Sequence, residues 1–367
     1  MNRFRWLLLF CVLFVPVFGV HAQEQEPRQL QAEITAITQV RENSDGSIYY
    51  DFQAQTPVGE QLRVNTQSSY PDGLWFHLKE GDHVQLRVVE QAESSNLYFE
   101  DVIRTKSLWL IALFFIFITV AVGWLRGVLA LVGFVLTTFI LFGFLFPQIL
   151  AGKDPVLMTA IASIFILAIN IHLAHGFTKR SFFSFLGTVV GVALTALFSF
   201  WFTYSSKLTG VGTDDAALLL SDVPTILNPV TIYLSAIILG AVGVLDDIAV
   251  NQSEIVSELQ QTNPQMSRKE LYIRAMRIGR HHIASTVNTL ILVYVGAAMP
   301  MFLLAMHYSI GIDRFLNTEA VAEEIVRILA GTSALVLTVP IATFFATIPK
   351  FQKSSLDHKQ SHKEGVL

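Results

Sequence analysis

Two patterns of apolar and polar positions divide the chain. From 23 to 105, short stretches alternate: "QLQAEITAITQV", "SIYYDFQAQT", "QLRVNT", "DHVQLRVVE" and "NLYFEDVI". Period two is the signature of strands with one face buried. Turn signals at Asp45-Gly46, Pro57 to Gly59, Pro71-Asp72-Gly73 and Gly81-Asp82 separate them. Five short strands in about 80 residues predict a small all-β domain, with an OB-like barrel as its topology. After Arg104 the alternation stops and long apolar runs follow. They predict spans near 107–123, 128–146, 155–173, 182–203, 226–246, 286–307 and 325–348. Each approaches the ~20 residues that cross ~30 Å of hydrocarbon. The expected fold is an α-helical polytopic membrane bundle of about seven spans, carrying an N-terminal β domain.

Composition agrees: 52% of the residues are hydrophobic and only 15% charged, against about a quarter charged in soluble domains. The first residues read as a Sec signal peptide, 1–22. Arg3 and Arg5 precede the apolar "WLLLFCVLFVPVFGV", and Val20-His21-Ala22 is a small-residue cleavage site. An uncleaved anchor helix is the rival. The single cysteine, Cys11, lies in that segment. A mature chain would then have no disulfide and no Cys-based metal or redox centre.

Charge orients the spans. With the β domain outside, the inner segments hold Arg126, Lys179, Arg180, Arg268, Lys269, Arg274, Arg277, Arg280, Lys350, Lys353, Lys359 and Lys363, and the short outer loops only Lys153, Lys207 and Arg314. This is the positive-inside bias. It predicts a plasma-membrane protein with domains 23–105 outside, 106–348 in the bilayer and a basic tail, 349–367, in the cytoplasm. The β domain has 14 Asp/Glu against 6 Lys/Arg, a net −8. That argues against a nucleic-acid partner. A solubilising surface is the simplest use of those charges, and attraction of cations towards a pore the alternative.

The polar residues that interrupt the pattern gather around a cytoplasmic amphipathic loop, 250–285. A helix running through the fifth span sets Asp247, Asn251, Glu254 and Glu258 on one face, with Asp246 beside them. Ser267 and Glu270 form a capping box that starts the next helix. Its Arg277, His281, Ser285 and Asn288 make a second, basic and polar stripe, with Arg280 and His282 adjoining. Carboxylates of the first helix are expected to meet cations of the second. Three roles fit: a cation or proton site used in transport; a divalent metal held by Asp246, Asp247, His281 and His282, for which the spacing carries no specific signal; and a salt-bridged lock that only joins two helices. Asn170, His172 and His175 at the inner end of the third span read as structural. Gly187-x-x-x-Gly191 reads as helix packing rather than a dimer contact. The P-loop, G-x-S-x-G and H-E-x-x-H patterns are missing from the sequence, so no enzyme activity and no cofactor are expected.

"LGAVGVLDDIAVNQSEIVSEL" followed by "KELYIRAMRIGRHHIASTVNTLILVYVGAAMP" resembles the signature of the YibE/F-like family of bacterial multi-pass membrane proteins. The likeness is tightest from about Leu239 to Pro300. Asp246 and Asp247 match the family's acid position and its neighbour, Ile278-Gly279-Arg280 the next element, and Thr286, Asn288 and Thr289 the last. His281 stands where many relatives have Asp. The resemblance implies a permease- or efflux-like protein. The function expected is transport of an ion or small solute, with the lipid bilayer and a cation or small solute as partners and homo-oligomers left open. A scaffold or signalling protein, binding partners through its β domain and inner loop, is the alternative.

Overall fold

The computed structural model describes residues 28–70, 72–91, 94–222 and 227–349. The expected signal peptide and the basic tail from Lys350 onward lie outside the described residues. Two compact units divide the chain, one ending at Val122 and the other beginning at Gly123; each is considered by itself.

The first unit is an antiparallel β half-barrel. Strands β1 (Arg28–Glu42), β2 (Ile48–Gln55), β3 (Gln61–Asn65), β4 (His83–Gln91) and β5 (Ser94–Val102) form one sheet in the order β3-β2-β1-β4-β5. β1 reaches both neighbours because it is 15 residues long, pairing its first half with β4 and its second with β2. Register shifts at Ile34/Ala36 and Ile37/Gln39 bend it, as bulges do. The curled sheet brings β3 back against β5. Its concave side buries Ile34, Phe52, Val64, Leu86 and Phe99, with the Phe52 and Phe99 rings edge to face at 6.2 Å.

Two turns hold this sheet together. At the β1–β2 turn, the Ser47 N–H (2.9 Å) and hydroxyl (2.7 Å) bond to Asp45 Oδ1, which keeps the Asp45 carboxyl below its usual range. Gly73 then runs so close that a Cβ there would lie 2.9 Å from Ser47 Cβ, on a backbone of φ +79°. Gly73→Ala is therefore expected to destabilise this unit by about 2 kcal/mol. Limited proteolysis of the full chain should cut within 28–104 faster in the variant.

Helix α1 (Thr105–Ile140) follows directly, and is interrupted at Trp124 by a non-helical backbone of φ 49° and ψ −134°. Its first half presents Leu108, Trp109, Phe114 and Phe117 outward, the all-round apolar surface of a helix in lipid.

The second unit is helical. A π-helical turn, Leu141–Leu145, leads from α1 into α2 (Phe146–Leu150). Then come α3 (Pro155–His175), α4 (Lys179–Ser205), α5 (Asp214–Asp222), α6 (Pro229–Thr262), α7 (Arg268–Ala297), α8 (Met299–His307), α9 (Ile312–Leu316) and α10 (Glu319–Ala346). The starts follow capping chemistry. Asp154 caps α3, Thr178 caps α4 and Asn228 caps α6, with Pro155 and Pro229 in the first turns where a missing N–H costs nothing. Ser267 caps α7 by accepting from the Glu270 N–H, while the Glu270 carboxylate turns to Arg274 at 2.7 Å.

Among the described residues, five helices are long and apolar enough to cross a membrane, and six if the α7–α8 pair, bent by 64°, is one span. This is a transmembrane protein. α6 and α10 lie at the centre: α10 packs on α4, α6 and α7, and α6 on α3 and α4. The amphipathic segment 250–285 is the end of α6 and the start of α7, with only 263–267 outside helix, so both helices expected there are present.

A polar cleft beside the paired aspartates

One face of the helical unit is open. Residues 126–137 of α1, 170–175 of α3 and 243–254 of α6 line a cleft of about 720 Å³. It shares Arg126, Ala174, His175 and Glu254 with a second recess of about 620 Å³, which adds Lys179, Arg180, Ser253 and Ser257. The Arg180 guanidinium bonds to the Ser257 hydroxyl.

The acidic stripe of α6 forms one wall of the cleft. Asp247 Oδ1 accepts from the Asn251 amide at 3.1 Å, and its side chain is 63% exposed at the rim. Glu254, half exposed, lies 3.1 Å from His175 Nδ1. Asp246 sits deeper. Its Oδ1 is buried and has no hydrogen-bond partner among the described residues, and Asn170 of α3 stands on the facing wall. Asn170 reaches that place because Gly133 leaves room: a Cβ at 133 would lie 2.9 Å from Asn170 Oδ1. Glu258 is one turn beyond Glu254, exposed and outside the cleft. Leu129, Phe134, Leu173 and Val250 complete an otherwise apolar lining.

The two histidines of α3 part company. His172 Nδ1 sits 2.7 Å from its own helix's Ala168 carbonyl and its ring stacks near Phe177 at 4.8 Å, a structural role. His175, the last residue of α3, faces the cleft, and its Nε2 is buried without a partner among the described residues. The helix ends there because Gly176 follows at φ 71°.

The expected meeting of acidic and basic stripes does not form. α7 turns Leu271, Ala275, Gly279 and His282 inward, and only His282 approaches the carboxylates, with Nε2 4.0 Å from Asp247 Oδ2. Arg277, Arg280, His281 and Asn288 are exposed on the other side of the helix. At 100° per residue they lie roughly opposite the buried stripe. The cause is Gly279, where a Cβ would come 2.8 Å from Gln252 Nε2 and 3.0 Å from Val339. Close approach at Gly279 fixes which face of α7 is buried. The metal set of Asp246, Asp247, His281 and His282 is consequently not assembled. No cluster of three or more His, Cys, Asp or Glu placed to hold a metal occurs among the described residues.

These are polar contacts in the central helices of a membrane bundle, framed by the "VLDD" and "IGRHH" segments. A family model described as YibE/F-like protein matches residues 110–350. The chain belongs to the YibE/F-like family. The cleft, α6 and α7 all lie within the matched stretch, and the β half-barrel lies before it. No curated protein and no solved structure matches this YibE/F-like chain.

One residue outside every sequence pattern above, and two expected to be structural, are also central here. Gln252 is fully buried, accepts from the Thr343 hydroxyl at 2.9 Å, and leaves its amide nitrogen unpartnered among the described residues. It sits on α6 away from the acidic stripe. Asn170 and His175 belong to the cleft. Their signal was present, as polar residues spaced five apart at the end of an apolar span, but such positions are more often solvated ends than site walls.

Proposed function

We propose that the cleft is the binding site of a transporter for a cation, proton or small solute, with Asp246 as its central group. The observation that carries this is Asp246, which lines a 720 Å³ cleft from within a membrane helix and holds one carboxylate oxygen buried without a partner among the described residues. A carboxylate in such a place costs several kcal/mol unless something offsets it. A structural lock supplies the offset with a partner side chain. Here the cations that a lock would use point away and Asn170 offers Asp246 only a neutral hydrogen bond, so the countercharge is left to the occupant of the cleft. Asp247 and Glu254 at the rim make the entrance acidic, and Arg126 and His175 limit how much positive charge can gather there.

Seven spans follow if α1 is two crossings divided at Trp124 and the α7–α8 pair is one. The lysine and arginine bias supports a β half-barrel outside and a cleft at the cytoplasmic side of a bacterial inner membrane. The strand order, with β3 returning to β5, supports an OB-like reading of the outer domain. One observation favours the scaffold alternative: Arg277, Arg280 and His281 form an exposed basic face that the cleft does not use, suited to a cytosolic partner.

The test is flux. Full-length protein in liposomes loaded with pH- and cation-sensitive dyes is compared with Asp247→Asn, across protons, Na⁺, K⁺ and divalent ions. Because Asp247 is a rim group, the substitution should slow flux about tenfold while leaving the melting temperature unchanged. A sharp fall in melting temperature instead would return the carboxylates to a structural role.

A further inference from the structure

The end of the helical unit away from the cleft is tied shut by a short piece of chain. Residues 206–213 leave α4 and cross to α10. Thr209 donates through its N–H (2.6 Å) and its hydroxyl (2.5 Å) to Glu319 Oε1. The Gly212 N–H donates to Glu323 Oε1 at 2.9 Å. The Tyr233 hydroxyl, near the start of α6, donates to the Glu323 carbonyl at 2.5 Å. Leu208 drops into an apolar cluster with Tyr233, Ile237, Val326 and Ala330.

The segment is shaped, not slack. Lys207 and Gly210 adopt φ 54° and 81°. A Cβ at Gly210 would lie 2.4 Å from the Pro229 carbonyl oxygen, and one at Gly212 2.7 Å from Glu323 Cδ. Glu323 is 3% exposed beneath it.

What lies under the segment connects it with the cleft. Tyr233, Ile237, Gly240, Val244 and Asp247 recur at steps of four and three, so they share one face of α6. Halfway along that face is a small void lined by Gly240, Val244, Leu290, Tyr294, Gly331 and Leu335. The strap and Asp247 are thus the two ends of a single helix face, one closed and one open.

We propose that residues 206–213 are a gate, latched shut by Glu319 and Glu323, which closes the outer end of the helical unit while the cleft is open at the inner end. The purpose given to the gate rests on the transport reading of the cleft. The latch is built of hydrogen bonds to carboxylates, strong enough to hold a strap and breakable without unfolding a helix. Releasing it uncovers the Leu208 cluster from outside.

Cys11 is the only cysteine, so a Cys11→Ser chain carrying Ala330→Cys reports on the space beneath the strap. Labelling by a membrane-impermeant maleimide is followed from each side of proteoliposomes. With the latch intact, outside labelling should be slow. Thr209→Val, which removes one hydroxyl bond, and the pair Glu319→Gln with Glu323→Gln should each speed it roughly tenfold, at unchanged elution volume and melting temperature. If the paired variant fails to fold, Thr209→Val decides. Equal outside rates in the latched and unlatched chains, or faster labelling from the cleft side, would overturn the gate. Flux that depends on Asp247 together with equal labelling sinks the gate alone. Faster labelling without flux of any ion keeps the gate and removes the ion-transport reading.

Discussion

Gly191→Leu should prevent the helical unit from assembling. A Cβ built at Gly191 would lie 2.6 Å from Thr338 Oγ1 and 3.1 Å from Leu245 Cδ2, and one at Gly187 3.1 Å from the Ala342 Cα. These glycines seat α4 against α10. Around them α4 buries Ser181, Ser184, Thr188, Thr195 and Ser199, and α10 answers with Ala330, Ala334, Thr338 and Ala342. Thr188 and Thr195 donate to carbonyls one turn back, while the Ser184 and Ser199 hydroxyls are buried without a partner among the described residues. In lipid, apolar side chains gain nothing from leaving the solvent, so association depends on contact. Small residues supply contact by letting backbones approach. A leucine in that seam must push α10 away or leave its rotamer, at a cost of about 3 kcal/mol or more. The loss extends to α6, since Leu245 is the second neighbour. Detergent-solubilised protein should lose its monodisperse elution peak. Gly296→Ala is the matching control. Nothing lies within 4 Å of a Cβ there, so the change should be neutral or stabilise by up to about 1 kcal/mol.

The same seam shows what the chain made legible. Gly187 and Gly191 could be assigned to packing from sequence because glycine four apart in an apolar run has few other uses. The strands of the β unit, the acidic stripe on α6 and the cap at Ser267 were legible for the same reason: each is local, fixed by periodicity or by one side chain meeting a nearby backbone group. Rotation of α7 was not legible. Whether its Arg277 face or its Ala275 face turns inward depends on which residue lets α6 and α10 approach, and that residue, Gly279, lies in a polar stretch where it reads as an ordinary break. The start of α10 was misplaced too. Glu319, Glu323 and Glu324 lower the apolar average, so the hydropathy pattern places the span near 325–348 while the helix begins at Glu319. Their carboxylates are in fact bound to backbone groups 110 residues earlier in the chain and to Arg327 on the same helix. Long-range partners cancel the cost of charge in ways that a window average cannot register.

Asp246→Asn should cut transport roughly a hundredfold while leaving the protein as stable as before, or more so. The two outcomes have one cause. In the resting structure Asp246 carries a buried oxygen without a partner among the described residues, beside a second carboxylate at Asp247. That buried oxygen and the like charge next to it both work against the folded state. Asparagine keeps the shape and can still bond to Asn170, but removes the charge, so the melting temperature should hold or rise. A cation or proton in the cleft loses its one deep anionic contact. Such a contact in a water-poor site is worth about 3 kcal/mol, roughly a hundredfold in affinity or flux. The effect should exceed that of Asp247→Asn, because Asp247 is 63% exposed and screened at the rim. Asp246→Glu, which restores the charge at a longer reach, should recover part of the flux. If Asp246→Asn and Asp247→Asn instead weakened flux equally, the rim would be the site and the deep carboxylate only its neighbour. A large drop in melting temperature for Asp246→Asn would mean that the carboxylate is paired in the folded protein, and the transport reading would lose its principal support.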